Sequence, residues 1–158
     1  MDQEPRGGNN APDHRPASIL VVEDEPLIRF AVADYLRDCG FHVVEAVDVQ
    51  EAMALLQAPE PAIDLVFSDV HMPGGLDGFD LARWVRAAFP GLPVILTSGI
   101  AQTAELGEEL CALGPIEAKP YNHRLLEERM RRVIGTVGYE AAQGPIMPLV
   151  AEPIALNR

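Results

Sequence analysis

Cysteine, positive charge and long apolar runs are all scarce in this chain of 158 residues. The two cysteines, Cys39 and Cys111, are too few for a disulfide framework, and their apolar helical surroundings favour buried thiols without chemistry. Lys and Arg total 12 against 24 Asp and Glu, and the net charge of −12 argues against direct DNA binding. No apolar run approaches the roughly 18 residues of a membrane span. The start MDQEPRGGNN also lacks the basic and apolar regions of a signal peptide. We therefore expect a cytoplasmic protein without membrane contact.

The length suits one domain of about 120 residues with tails. Residues 1–17 are rich in Gly, Asn, Pro and charge, which predicts a disordered leader. Residues 18–138 form the expected domain. Residues 139–158 contain three prolines and no helical or strand period, so we expect an extended tail and no output domain.

Short β-branched runs alternate with helical patterns along residues 18–138. This alternation predicts an α/β domain with a parallel sheet of five strands. The predicted strands are SILVV (18–22), FHVVE (41–45), IDLVFS (63–68), PVILT (93–97) and PIEA (115–118).

Helical spacing predicts five helices. The first begins near Pro26 and ends before Gly40. Its predicted inward face holds Ile28, Ala31, Val32, Tyr35, Leu36 and Cys39. The others are predicted at 48–58, 78–89, 101–113 and 122–137. Gly107 weakens the helix predicted at 101–113 by about 1 kcal/mol. In the fifth, the pairs Glu127/Arg131 and Glu128/Arg132 have i,i+4 spacing.

Polar residues of metal-binding or reactive types lie at the ends of four predicted strands. Glu23 and Asp24 follow the first, Asp69 the third, Thr97 closes the fourth, and Lys119 follows the fifth. Functional groups gather at this edge of open parallel sheets. Clustered carboxylates repel one another unless a cation lies among them, and an oxygen-only ligand set suits Mg²⁺. Phosphoryl transfer to Asp69 is the chemistry that this set favours.

These motifs resemble the receiver domain of response regulators in two-component systems. The resemblance covers about residues 18–137 and rests on ILVVEDEP, FSDVHMPGGLDG, ILTSG and AKP, in that order. It implies a doubly wound (βα)5 fold with the flavodoxin-like strand order 2-1-3-4-5, which is a known order of such sheets. It also implies a cis peptide bond between Lys119 and Pro120.

The resemblance assigns roles to the strand-end residues. Asp69 is the implied phosphoacceptor, with Thr97 and Lys119 as its catalytic partners. Asp24 and Asp69 are implied to bind Mg²⁺ directly, Glu23 through water, and His71 through its backbone carbonyl. The implied phosphodonor is a sensor histidine kinase or a histidine phosphotransfer protein. Output is implied to reach an unknown downstream protein, or a dimer, through the face of the fourth helix, fifth strand and fifth helix.

Three features depart from the family pattern. Glu23 replaces the more usual Asp, the loop MPGGLDG is one residue longer than the common form, and Ile116 stands where an aromatic residue is common. A pseudo-receiver that binds partners without phosphorylation is therefore an alternative. A haloacid-dehalogenase-like phosphatase is a weaker one, because it expects a second acid where this chain has His71. A flavodoxin is weaker still, since no phosphate loop follows the first strand.

Overall fold

Five parallel strands and four helices make up the described part of the chain. The computed structural model describes residues 15–99 and 116–143, so the helix predicted at 101–113 and Cys111 lie outside the described residues. The strands are β1 (Ser18–Val22), β2 (His42–Ala46), β3 (Leu65–Asp69), β4 (Val94–Gly99) and β5 (Ile116–Lys119). The helices are α1 (Pro26–Asp38), α2 (Val49–Gln57), α3 (Gly78–Ala88) and α4 (His123–Gln143). The sheet order β2-β1-β3-β4-β5 is the predicted one.

The sheet is buried on both faces because successive side chains of a strand point in opposite directions. Leu20 and Val22 of β1 belong to a cluster with residues of α2 and α3. Ile19 and Val21 belong to the opposite cluster, which includes Leu126 of α4 and residues of α1. All four β1 side chains are at most 1% exposed. The continuous apolar run in β1 therefore serves two cores at once.

Helix α1 is oriented differently from the sequence prediction. Val32 and Leu36 are buried as predicted, but Ile28 and Ala31 are exposed, and Ala33 is buried instead. The apolar stripe of α1 is wider than the strip that the sheet covers. Its outer half, including Ile28 and Ala31, borders a groove that is described below.

Helices α2 and α3 begin at side-chain caps. Asp48 accepts a hydrogen bond from the Glu51 backbone at 2.8 Å. Asp77 and Asp80 form a reciprocal capping box in which both hydrogen bonds measure 2.9 Å. Such a cap satisfies backbone N–H groups that the first turn leaves without partners. Both helices therefore begin within a residue of the predicted positions.

Helix α4 is longer than predicted, continuing past residue 137 to Gln143. Gly138 does not end it, because the following Glu, Ala, Ala and Gln are good helix formers. Leu126 and Met130 bury its predicted face, and Arg131 pairs with Glu127 at 2.8 Å as predicted. Neither α4 nor another helix in the described residues combines the length and apolarity needed to cross a membrane.

Candidate functional site

Three carboxylates meet at the C-terminal edge of the sheet. Glu23 directly follows β1, and its backbone N–H donates to Ala46 O at 3.1 Å, which extends the pairing with β2. Asp69 is the last residue of β3. One oxygen from each of Glu23, Asp24 and Asp69 lies within 4.8 Å of the others. Adjacent parallel strands thus place three acids where the sequence expected them.

Lys119 joins two of these carboxylates from the far side of β4. Its Nζ donates to Asp69 Oδ2 at 3.0 Å and to Glu23 Oε2 at 3.2 Å. Burial lowers the pKa of Lys119, but its hydrogen bonds to Asp69 and Glu23 and the negative charges of those carboxylates outweigh that effect and raise the pKa above 10.5. The ammonium is therefore charged at neutral pH. It supplies one positive charge to an otherwise acidic pocket.

The pKa of Glu23 reflects its burial beside these charged groups. Glu23 is 5% exposed, and burial raises its pKa above the ordinary value of 4.5. A hydrogen bond from the Glu25 N–H opposes that shift, the negative charge of Asp69 adds to it, and Lys119 again opposes it. The net direction is upward. A second cation near Glu23 would relieve the repulsion.

Asp69 is held by backbone as well as by Lys119. The His71 N–H donates to its Oδ1 at 3.3 Å, while the His71 side chain is exposed. Thr97 lies opposite Asp69 in the β3–β4 register and is 1% exposed. The predicted site residues on β1, β3, β4 and β5 therefore meet at one edge, and the Lys119–Pro120 peptide bond is cis as expected.

Gly78 allows α3 to begin against the backbone at the end of β3. Its N–H donates to Val70 O at 2.8 Å, and a Cβ at this position would lie 2.3 Å from Asp69 O. The φ of Gly78 is not positive, so the close approach of backbone, and not a left-handed conformation, requires glycine there. Gly74 and Gly75 in the preceding loop do have positive φ values of 108° and 92°. Gly78 is needed for close packing.

Tyr121 is a neighbour of the site that sequence reasoning missed. Its ring lies edge-on to Phe67, with centroids 5.7 Å apart. Burial, together with the negative charges of Glu23 and Asp69, raises the pKa of its phenol strongly. Tyr121 thus places an uncharged side chain beside the carboxylates. Its position two residues after Lys119 was the available signal.

An apolar groove of about 520 Å³ adjoins the site at Lys119. Its α1 side includes Leu27 and Ile28, and its other side includes Pro120, Tyr121 and His123. Leu27 is 78% exposed, and Phe30, one turn further along α1, is 64% exposed. The site therefore borders an unusually apolar surface for an acidic protein.

The known proteins that this chain resembles agree with the geometry of the site. Residues 19–134 match the model of the response regulator receiver domain. The chain is 35% identical over 133 residues to the response regulator protein FleR of Pseudomonas aeruginosa, covering 82% of this chain and 27% of FleR. It is 42% identical over 84 residues to the transcriptional regulatory protein PdtaR of Mycobacterium tuberculosis, covering 52% of this chain and 40% of PdtaR. The chain thus spans less than half of either relative.

Comparison with solved structures indicates the same family. The receiver domain of NtrX from Brucella abortus superposes with a TM-score of 0.68 at 32% identity, covering 75% of this chain and 98% of that domain. The matched family is a signalling domain of two-component systems, and the sheet order and the acidic cluster at the strand ends agree with it. This chain belongs to the response regulator receiver domain family.

Proposed function

We propose that the chain acts as a response regulator receiver in which Asp69 accepts a phosphoryl group in a Mg²⁺-dependent reaction. The observation that carries the proposal is the bridge from Lys119 Nζ to Asp69 Oδ2, 3.0 Å, and to Glu23 Oε2, 3.2 Å. A lysine that neutralises a buried aspartate at a strand end is suited to stabilise charge on a phosphoryl group attached there.

The donor set fits a magnesium ion. Glu23, Asp24 and Asp69 supply only carboxylate oxygens, which Mg²⁺ prefers. We propose Asp24 and Asp69 as direct ligands, Glu23 as a ligand through water, and the His71 carbonyl as the backbone ligand. When bound, Mg²⁺ would supply charge neutralisation for the phosphoryl oxygens.

Asp69, Lys119 and Thr97 would carry out the transfer of the phosphoryl group. An Asp69 carboxylate oxygen attacks phosphorus as the donor's phosphorus–nitrogen bond breaks, so that a phosphorus–oxygen bond replaces it and the donor histidine leaves. Lys119 moves its hydrogen bond from the carboxylate to a phosphoryl oxygen. Thr97 donates its hydroxyl to another. The donor in this scheme is a sensor histidine kinase or a histidine phosphotransfer protein.

The groove beside Lys119 is the surface we propose for that donor. A phosphohistidine can reach Asp69 only if the carrier protein covers the surroundings of the site. Leu27 lines the groove and is exposed, and Phe30 adds a second exposed apolar side chain on α1. Output then passes through protein contacts, including a dimer at the face of the helix predicted at 101–113, β5 and α4. A cytoplasmic location stays a prediction from composition.

The acceptor assignment is tested by phosphorylation with acetyl phosphate and Mg²⁺, read on a Phos-tag gel. We expect wild type to shift and Asp69→Asn to remain unshifted, because the amide is a poor nucleophile. The control is Asp34→Asn, which alters an exposed aspartate on α1. Equal shifts of Asp69→Asn and wild type would refute the assignment. An unshifted wild type that still binds its partners would instead support a pseudo-receiver, and steady turnover of a phosphate ester would support a phosphatase.

A further inference from the structure

Arg29 lies behind the carboxylate cluster and has no part in the phosphoryl chemistry described above. It is the fourth residue of α1, and 17% of its side chain is exposed. One guanidinium nitrogen, Nη1, donates to the backbone carbonyl of Glu23 at 2.9 Å. Another, Nε, lies 3.5 Å from Glu45 Oε1 on β2. Arg29 therefore ties the acidic loop to the neighbouring strand.

The hydrogen bond to the Glu23 carbonyl fixes a particular peptide group. On one side of Glu23, its N–H donates to Ala46 O in the sheet. On the other side, its carbonyl accepts from Arg29. Because a peptide unit is planar, holding this carbonyl also sets the N–H of Asp24 and the direction of its Cα. The clamped peptide joins two of the three clustered carboxylates.

A nearby carboxylate, that of Glu45, compensates the positive charge of Arg29. A lone cation beside the acidic cluster would weaken the binding of a divalent ion. Glu45 offsets that charge, and it also pairs with Arg37 at 2.9 Å. Arg29 can then hold the loop with less electrostatic penalty for a metal ion nearby. Arg37 contacts the same glutamate and the Val43 carbonyl, but no bond links it to residues 23–25.

We propose that Arg29 is a positioning residue of the divalent-ion site, setting the Glu23–Asp24 peptide so that both side chains face Asp69. The inference rests on the proposed function, because it concerns the same Mg²⁺ site. It assigns Arg29 no contact with the metal or with the phosphoryl group. Its effect passes through the geometry of the acidic pair.

The test is Mg²⁺ titration of the full chain by isothermal calorimetry. We expect Arg29→Gln to raise the dissociation constant about tenfold, the scale of losing a group that orients a ligand. Arg37→Gln, which breaks the other ion pair of Glu45, should stay within about twofold of wild type. Phosphorylation of Arg29→Gln by acetyl phosphate should approach the wild-type rate at saturating Mg²⁺, because Arg29 does not touch the reacting atoms.

One further variant, Arg29→Lys, and the wild type decide the remaining outcomes. Arg29→Lys keeps one donor for the carbonyl and should recover part of the affinity; it also replaces Arg29→Gln if circular dichroism shows that the latter is unfolded. Equal affinity of wild type and both Arg29 variants, or equal losses in Arg29→Gln and Arg37→Gln, overturns the role of Arg29. A wild type that binds no Mg²⁺ overturns the metal site itself, and with it both proposals.

Discussion

At the scale of single residues, Glu23 sits under opposing forces. Burial and the charge of Asp69 raise its pKa, while the Glu25 N–H and Lys119 lower it. The upward net shift means that the folded protein holds this proton more tightly than the unfolded chain does. Between the ordinary pKa of 4.5 and the raised folded value, the native state therefore binds more protons. Stability from this group falls as pH rises through that window.

Replacement of Glu23 should remove this pH dependence. In EDTA, we expect wild type to lose stability relative to Glu23→Gln as pH rises from 4.5, until Glu23 is fully ionised in the folded state. Urea unfolding at a series of pH values measures the difference. Glu60→Gln, at an exposed position, is the control and should track wild type. A difference between wild type and Glu23→Gln that stays constant or grows in favour of wild type would contradict the raised pKa.

At the scale of elements, the start of α3 is set by its contact with β3. The capping box of Asp77 and Asp80 fixes the first turn, and Gly78 brings that turn onto the backbone of Asp69 and Val70. The end of β3 and the first turn of α3 thus form one packed unit. A side chain at Gly78 would have to displace backbone, which cannot yield as a flexible side chain can.

Gly78→Ala should therefore destabilise the protein by about 1–3 kcal/mol, the usual cost of overpacking. Chemical denaturation measures this loss. Gly135→Ala is the matched control, because a Cβ there meets nothing within 4 Å in the described structure and the residue lies inside α4. It should gain about 0.5–1 kcal/mol from helix propensity. Equal effects of both alanines would show that Gly78 has no special packing role.

At the scale of the whole molecule, an acidic pocket and an apolar groove share a border at Lys119. Under the function proposed above, a small phosphodonor needs only the pocket, whereas a protein donor also covers the groove. The two kinds of donor therefore separate the chemistry of Asp69 from recognition by a partner.

Leu27→Ser and Phe30→Ser should slow phosphotransfer from a cognate histidine kinase about tenfold or more while leaving acetyl phosphate labelling within twofold of wild type. The reason is that truncating a central apolar contact costs more than about 1 kcal/mol of binding. Radiolabel transfer in time courses provides the measurement. Val47→Ser, an exposed apolar position at the end of β2, is the control. Slower labelling with both donors would instead point to a disturbed fold.

The sequence by itself determined which residues stand at the strand ends, in what order, and with what charge. Runs of β-branched residues and helical spacing are local signals, so the strands, α2, α3 and the polar residues that follow each strand could be predicted. The caps at Asp48 and Asp77 are local features too, since each side chain accepts a hydrogen bond from the first turn of its own helix. The burial of α1 could not be predicted, because periodicity shows a helix's apolar stripe but not how much of it a sheet will cover.

Only the tertiary structure decided which of these residues touch. Lys119 reaches Glu23 across 96 positions of sequence, and Arg29 reaches the Glu23 carbonyl only because α1 begins directly after that loop. Gly78 has an ordinary backbone angle, so its necessity appears only when β3 lies against it. Contacts of this kind depend on strand register and on distances of a few ångströms. Local sequence preferences do not encode those quantities, which the packing of the whole sheet sets.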